Sequence, residues 1–560
     1  MTRVEDSMRP AATATLDALD PRQRAVAEAL TGPVRVLAGA GTGKTRAITH
    51  RIAWGIEQQV YQPQSVLALT FTSKAAAELR LRLAHLGLPP VAARTFHAAA
   101  LAQLRHFWPR TLGAQLPRLL SSKAAVIAEA VHAVGLPEPD TATLRDLAAQ
   151  VEWRKVRALT VDQYLATPHR QVHGVADEQM AAVMLRYERL KDDRRVIDFE
   201  DVLLTLTGML RQEPAVADEV RDQYRIFVVD EYQDVSPVQH DLLREWMGRR
   251  RDLCVVGDPS QTIYSFSGAD PRYLLDFEQE FVGAQTVELT HNYRSSAPIV
   301  SLANAAMQGR PGAVRLETDV AGPPPQLAAC ADETDEAQHV ARAVAAQIAG
   351  GASPREIAVL MRVNSQTARL EQAFTQAGVP FALRNATPFF ARREIVDVML
   401  LIGVAAAEQP SAAALPALER ALTEAGWSPT PPAEAGEVRE RWQTLEALRR
   451  VCIDAGEQTT LAALHRELLE RREQQHPPTT ETVTLSTVHA AKGLEWDHVH
   501  VIGVNEGLLP ISTATTEAEI DEERRLFYVA VTRARRTLHL SYAERSGGRA
   551  AQRSRFLEGR

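Results

Sequence analysis

Residues Val34–Ile52, VRVLAGAGTGKTRAITHRI, join a short apolar strand to a helix through a turn of glycines and small residues. Few segments restrict a fold so tightly. Gly39, Gly41 and Gly43 let the backbone curl until its N–H groups point inward at phosphate oxygens. The helix that starts near Lys44 adds the positive end of its dipole. The loop comprises Ala38, Gly39, Ala40, Gly41, Thr42, Gly43, Lys44 and Thr45, with Ala38 standing where the strict pattern has glycine. Its chemistry places Lys44 on the β- and γ-phosphates of a nucleoside triphosphate and the Thr45 hydroxyl on Mg²⁺. Such a loop belongs at the carboxyl end of a parallel strand in an α/β domain.

Further β-branched runs follow that pattern: Val66–Leu69, Ile226–Val229, Leu253–Val256, Ile357–Leu360, Val499–Ile502 and Leu538–Ser541. Helical stretches separate them, so parallel sheets flanked by helices are expected. A chain of 560 residues exceeds what one core organises, so several domains are expected as well. Two regions, from about Phe107 to Arg195 and from about Val398 to Thr480, are Ala-, Leu- and Arg-rich and nearly free of strand signals. They read as helical insertions. Turns are expected at Gly322–Pro325, Pro429–Pro432 and Pro477–Pro478. No apolar run reaches the roughly 20 residues that span a bilayer. Three scattered cysteines, Cys254, Cys330 and Cys452, suit a reducing cytoplasm and rule out a paired-cysteine zinc module. The net charge of −7 bears on solubility more than on a local binding groove.

A phosphate loop alone fits kinases, transporters and GTPases alike. The second half of the site lies in RIFVVDEYQD, an apolar strand that ends in Asp230 and Glu231. An acidic pair at a strand end is often a solvated turn. Beside a phosphate loop, Asp230 is placed to hold Mg²⁺ with Thr45, and Glu231 to orient or deprotonate the attacking water.

From DEYQD onward the chain resembles superfamily 1 helicases of the UvrD/Rep/PcrA type. The motifs are LDPRQ (Leu19–Gln23), TFTSKAAAELRLR (Thr70–Arg82), RTFHAAAL (Arg94–Leu101), VVGDPSQTIYSFSGAD (Val255–Asp270), HNYRSS (His291–Ser296), VLMRVNSQTARLE, FFARREIVD, TLSTVHAAKGLEWDHV (Thr484–Val499) and DEERRLFYVAVTRARRTLHL (Asp521–Leu540). They occur in family order over nearly the whole length. The resemblance implies two RecA-like P-loop domains with two helical insertion subdomains. These are 1A (1–106 and 196–300), 1B (107–195), 2A (301–397 and 481–560) and a reduced 2B (398–480). It implies ATP and Mg²⁺ as cofactors, and single-stranded and duplex DNA as partners. Repair or replication is the implied setting, with proteins of those processes as further partners.

Carried over motif by motif, Gln23 reads adenine, Arg46 and Tyr293 sandwich it, and Glu495 contacts the ribose. Gln261 senses the γ-phosphate, and Arg294 and Arg533 place guanidiniums on it, joining Lys44, Asp230 and Glu231 as catalytic residues. A sequence-tolerant grip on a single strand calls for aromatic stacking, since every base has a π-face. Phe71, Tyr264 and Phe266 are the candidates. Thr95, His97, Thr487 and His489 are candidate backbone or sugar contacts. The implied activity is ATP-dependent 3′→5′ translocation on single-stranded DNA with duplex unwinding. The alternative is a translocase that displaces bound proteins with little intrinsic unwinding. Two departures favour the alternative: Ser267 stands where the family commonly has arginine, and the second insertion is short. The wording PSQTIYSFSGA resembles a branch of UvrD paralogues that can carry a cysteine module and an HRDC domain downstream. Neither follows RSRFLEGR here, and weak unaided unwinding is the expectation.

Overall fold

The computed structural model describes residues 16–120, 122–169, 171–384, 390, 392–430, 437–456, 459–473, 481–547 and 549–557. The turn expected at Pro477–Pro478, residues 431–432 of the preceding one, and Phe389 and Ala391 of FFARREIVD lie outside them. The described chain forms two compact units, one up to Leu289 (all but Ala40–Thr42) and one from Thr290.

The first unit is built on strands β1 (Val34–Ala38), β2 (Val66–Thr70), β3 (Ala92–Thr95), β4 (Ile226–Val229), β5 (Leu253–Gly257) and β6 (Gln285–Leu289). They form one sheet in the order β3-β2-β4-β5-β1-β6. Every neighbouring pair is parallel. Residues of β2, β4 and β5 are buried throughout, which is why they read as unbroken apolar runs. Because all strands point one way, the residues after Ala38, Thr70, Thr95, Val229 and Gly257 gather along one sheet edge. That edge receives the phosphate loop, Phe71, His97, the Asp230–Glu231 pair and the segment leading to Gln261.

The second unit repeats the plan with β7 (Gln326–Cys330), β8 (Ile357–Met361), β9 (Phe381–Leu383), β10 (Val483–Thr487), β11 (Trp496–Val501) and β12 (Ala534–Ala543). Their order is β9-β10-β8-β11-β12-β7, again wholly parallel. Two parallel α/β sheets are thus present, as the strand spacing implies.

The helical regions have cores of their own. In the first, Val126, Ile127, Val151, Tyr164, Met184 and Tyr187 pack together, and the short parallel pair Arg118–Leu119 and Val196–Ile197 joins its ends. In the second, Ile395, Val398, Ile402, Leu418, Leu445 and Leu464 belong to one cluster. No described helix is long and apolar enough to cross a membrane.

Candidate functional site

The phosphate loop follows β1. Gly41 and Gly43 take φ of 71° and 79°, left-handed values that side chains rarely adopt. Gly43 precedes the Lys44–Glu57 helix without any side-chain cap, so the N–H groups of its first turn remain directed at the loop. Lys44 Nζ donates to Ala38 O at 3.3 Å, folding the ammonium back over the turn. Gln23 is 1% exposed and lies against this turn, since a Cβ on Gly43 would come within 2.6 Å of its Nε2. Asp20 caps the helix that carries Gln23, accepting from the N–H groups of Arg22 and Gln23 at 2.8 Å. Arg46, one turn on, donates to Ala18 O at 2.5 Å. Thr45 is half-buried in the first turn of the Lys44–Glu57 helix.

At the end of β4, Asp230 is buried, and Glu231 takes a left-handed φ of 54°. Burial first, and the adjacent Glu231 carboxylate second, push the Asp230 carboxyl up to about 7, with Lys44 opposing. A carboxylate so poorly solvated gains most from a cation beside it, and this fits a Mg²⁺ ligand.

From Glu231 a chain of hydrogen bonds runs across the sheet edge. Gln233 Nε2 donates to Glu231 Oε2, while Gln233 Oε1 accepts from the Asp258 N–H at 2.9 Å. Gln261 Nε2 then donates to Asp258 Oδ2 at 2.7 Å. Gln233, Asp258 and Gln261 are all buried, so the chain is shielded from water. Three residues beyond Gln261, Tyr264 stacks on Phe71, with centroids 5.7 Å apart and planes 12° apart, and meets Phe266 edge-on at 6.1 Å. Phe71 and Phe266 are 45% and 66% exposed. The three expected aromatics therefore form one cluster.

A second aromatic pair lies past β3. His97 stacks on Phe199 at 3.9 Å and 11°. Burial, and then Lys123, push His97 down to about 4, so its ring is neutral near pH 7. Phe199 is 55% exposed; with Phe71 and Phe266 it completes the set of exposed phenylalanines among the described residues. Thr95 uses its hydroxyl locally, capping the Phe96–Leu112 helix by accepting from Ala98 N–H at 3.1 Å.

In the second unit the candidate arginines cluster. Arg533 is 1% exposed; its Nε and one Nη donate to Val529 O and Leu494 O, each at 3.0 Å. Arg294 pairs with Glu495, which also pairs with Arg535 at 2.5 Å. Burial opposes ionisation of Glu495, but Arg294 and Arg535 outweigh it and hold the carboxyl below its usual range. Asn292 Oδ1 accepts from the backbone N–H of Arg294 at 2.9 Å, fixing the turn that carries it. Tyr293 is 50% exposed. Thr487 ends β10 and His489 follows it, at the carboxyl end of that strand. Burial, then Arg362 and Lys492, push His489 down to about 4.

With this arrangement in view, the family comparisons are decisive. Residues 19–282 match the UvrD/REP helicase N-terminal domain, and residues 287–431 and 432–545 match the UvrD-like helicase C-terminal domain. The chain belongs to the UvrD/Rep helicase family. It is 43% identical to the "ATP-dependent DNA helicase UvrD2" of Mycobacterium tuberculosis H37Rv, over 92% of this chain and 77% of that protein. It is 30% identical to the "DNA helicase II" of Escherichia coli K12, over 89% of this chain and 81% of that protein. It is 29% identical to the "Putative ATP-dependent DNA helicase YjcD" of Bacillus subtilis 168, over 92% and 77%.

Two residues of this UvrD/Rep family member escape sequence reasoning. Phe199 is a single aromatic in IDFEDV, and nothing in the sequence brings it to His97. Gln233 stands in DEYQD two residues beyond Glu231, and that spacing was the available signal for a bridge to the next strand end.

Proposed function

We propose that this chain moves 3′→5′ along a single strand of DNA, driven by ATP hydrolysis, and separates duplexes as it advances. Its class, an ATP-dependent DNA helicase, follows from the family. The observation that carries the coupling is the hydrogen-bonded chain Glu231–Gln233–Asp258–Gln261, which ends three residues before the Tyr264–Phe71 stack.

In this reading the loop N–H groups and Lys44 bind the β- and γ-phosphates, and Gln23, Arg46, Tyr293 and Glu495 hold the nucleoside. Thr45 and Asp230 would hold Mg²⁺, which when bound neutralises charge on the phosphate oxygens. Glu231 orients the attacking water and takes its proton. Arg294 and Arg533 supply the cations that phosphoryl transfer requires. Phe71, Tyr264, Phe266 and the added Phe199 stack on bases, while Thr95, His97, Thr487 and His489 meet the backbone and sugars. The domain reading 1A, 1B, 2A and 2B, with the boundaries given above, belongs to the same proposal.

A second reading, a translocase that clears proteins but unwinds poorly, is favoured by Ser267, which puts a hydroxyl rather than a cation beside Phe266. Strand separation on 3′-tailed, 5′-tailed and blunt duplexes, run beside an ATPase assay, decides between them. Unwinding of the 3′-tailed duplex alone is expected. Preference for the 5′ tail overturns the polarity, and DNA-stimulated hydrolysis without strand separation selects the translocase.

A further inference from the structure

The Thr141–Val156 helix of the first helical region ends in two consecutive residues that contact the segments carrying different aromatic groups. Lys155, 1% exposed, ion-pairs with Asp198 and Asp201, each at 2.6 Å, and with Glu188 at 3.0 Å. Lys191 contacts the same three carboxylates, and Tyr187 donates its hydroxyl to Asp198 at 3.0 Å. Arg154 joins through Glu188 at 2.8 Å, so three cations face three carboxylates. The carboxylates of Asp198 and Asp201 also accept from each other's backbone N–H in a capping box at the start of the Phe199–Gln212 helix. Phe199, the residue between the buried Asp198 and Glu200, is thereby pinned at its backbone while its ring stays exposed against His97. A buried ionic cluster of this kind adds little net stability, but it tolerates only one geometry.

Val156, the next residue, packs against the turn that carries Phe266. A Cβ on Gly268 would lie 2.5 Å from Val156 Cγ2, so this methyl occupies the space where a side chain would stand. Gly268, with φ of 89°, closes the turn Ser265–Ser267 that presents Phe266. One helix end therefore fixes both Phe199 and Phe266, through neighbouring residues.

We propose that the Lys155–Val156 step is a bracket that sets the spacing between the His97–Phe199 pair and the Phe71–Tyr264–Phe266 cluster, making both residues positioning residues for single-stranded DNA. This rests on the reading above that those aromatics bind DNA. A rearrangement of the Gln261 segment would then be passed to Phe199 through the helix end rather than staying local.

The test is steady-state ATPase titrated with oligo(dT), using Val156→Ala and Lys155→Met alone and combined with Phe266→Ala and Phe199→Ala. Each bracket variant is expected to raise the half-saturating oligo(dT) roughly three- to tenfold, the size of coupling seen between contacting residues. The DNA-free rate and the KM for ATP should stay within about twofold. Val156→Ala should add nothing further once Phe266 is alanine, and Lys155→Met nothing once Phe199 is alanine. Unchanged half-saturation, or effects that multiply independently of the aromatics, overturns the bracket. If Phe266→Ala and Phe199→Ala themselves leave half-saturation unchanged, the DNA-binding reading fails instead. Thermal melting checks that each variant folds; should Lys155→Met not fold, the Val156→Ala arm decides alone.

Discussion

The two sheets carry their candidate nucleotide residues at opposite edges. In the first unit the candidate residues follow the carboxyl ends of β1, β4 and β5, where helices begin and backbone N–H groups point outward. Anions are welcome there. In the second unit Glu495 and Arg533 stand immediately before β11 and β12, at the opposite end of the strands. There the Glu517–Val531 helix finishes, and its last carbonyls accept from Arg533. A helix C-terminus carries partial negative charge, which favours a guanidinium beside it. In our reading the first edge receives phosphate, while at the second Arg533 is held by backbone carbonyls and Arg294 by Glu495. The carboxyl edge of the second sheet, with Thr487 and His489, is left for DNA in our reading. Two wholly parallel sheets with different strand orders thus present their candidate residues beside helix ends of opposite polarity.

That contrast can be broken from either side. Glu231→Gln removes the proposed base on the first edge without changing its shape. ATP hydrolysis should fall on the order of 10⁴-fold while nucleotide binding persists, as measured by single-turnover kinetics and equilibrium titration. Retained turnover would place the base elsewhere. Arg533→Ala attacks the second edge, and DNA-stimulated hydrolysis should fall roughly 10³-fold with little change in DNA affinity. A loss below about tenfold would reduce Arg533 to a helix-end stabiliser.

The smallest effect concerns the two carboxyl edges, each with a histidine held down to about 4, His97 and His489. Both rings stay neutral from pH 6 to 8, so their titration should leave DNA affinity flat across that range. Each favours folding fully above the unfolded histidine value of about 6.5, and the benefit is lost as pH falls toward 4. Melting temperature should therefore drop below pH 6.5, and His97→Asn should blunt that drop. An unaltered pH profile in the variant would sink the assignment for His97.

Much of this was legible in the sequence, for identifiable reasons. Strands β2, β4, β5 and β8 are buried on both faces, so their apolar runs announce them. Strands β6 and β7 are largely exposed sheet edges, and QTVEL and QLAAC lack that signal. Strand β3, AART, is short and half-exposed. The phosphate loop and the acidic pair could be named because each chemistry demands a residue type at a local spacing, and the arginines because their motifs resemble the family's. The Arg535 partner of Glu495 and the stacking of His97 on Phe199 depend on segments 40 and 102 residues apart meeting in space. No local pattern encodes such a meeting.

The backbone at Glu231 has one more implication. A left-handed conformation costs a non-glycine residue about 1–3 kcal/mol, and glycine or asparagine would occupy the same place more comfortably. A library of substitutions at this position screened for thermal tolerance alone should drift away from glutamate. Screened for turnover, the same library should return to it. Position 231 would then be a site where folding and activity, scored separately, rank the amino acids in conflicting orders.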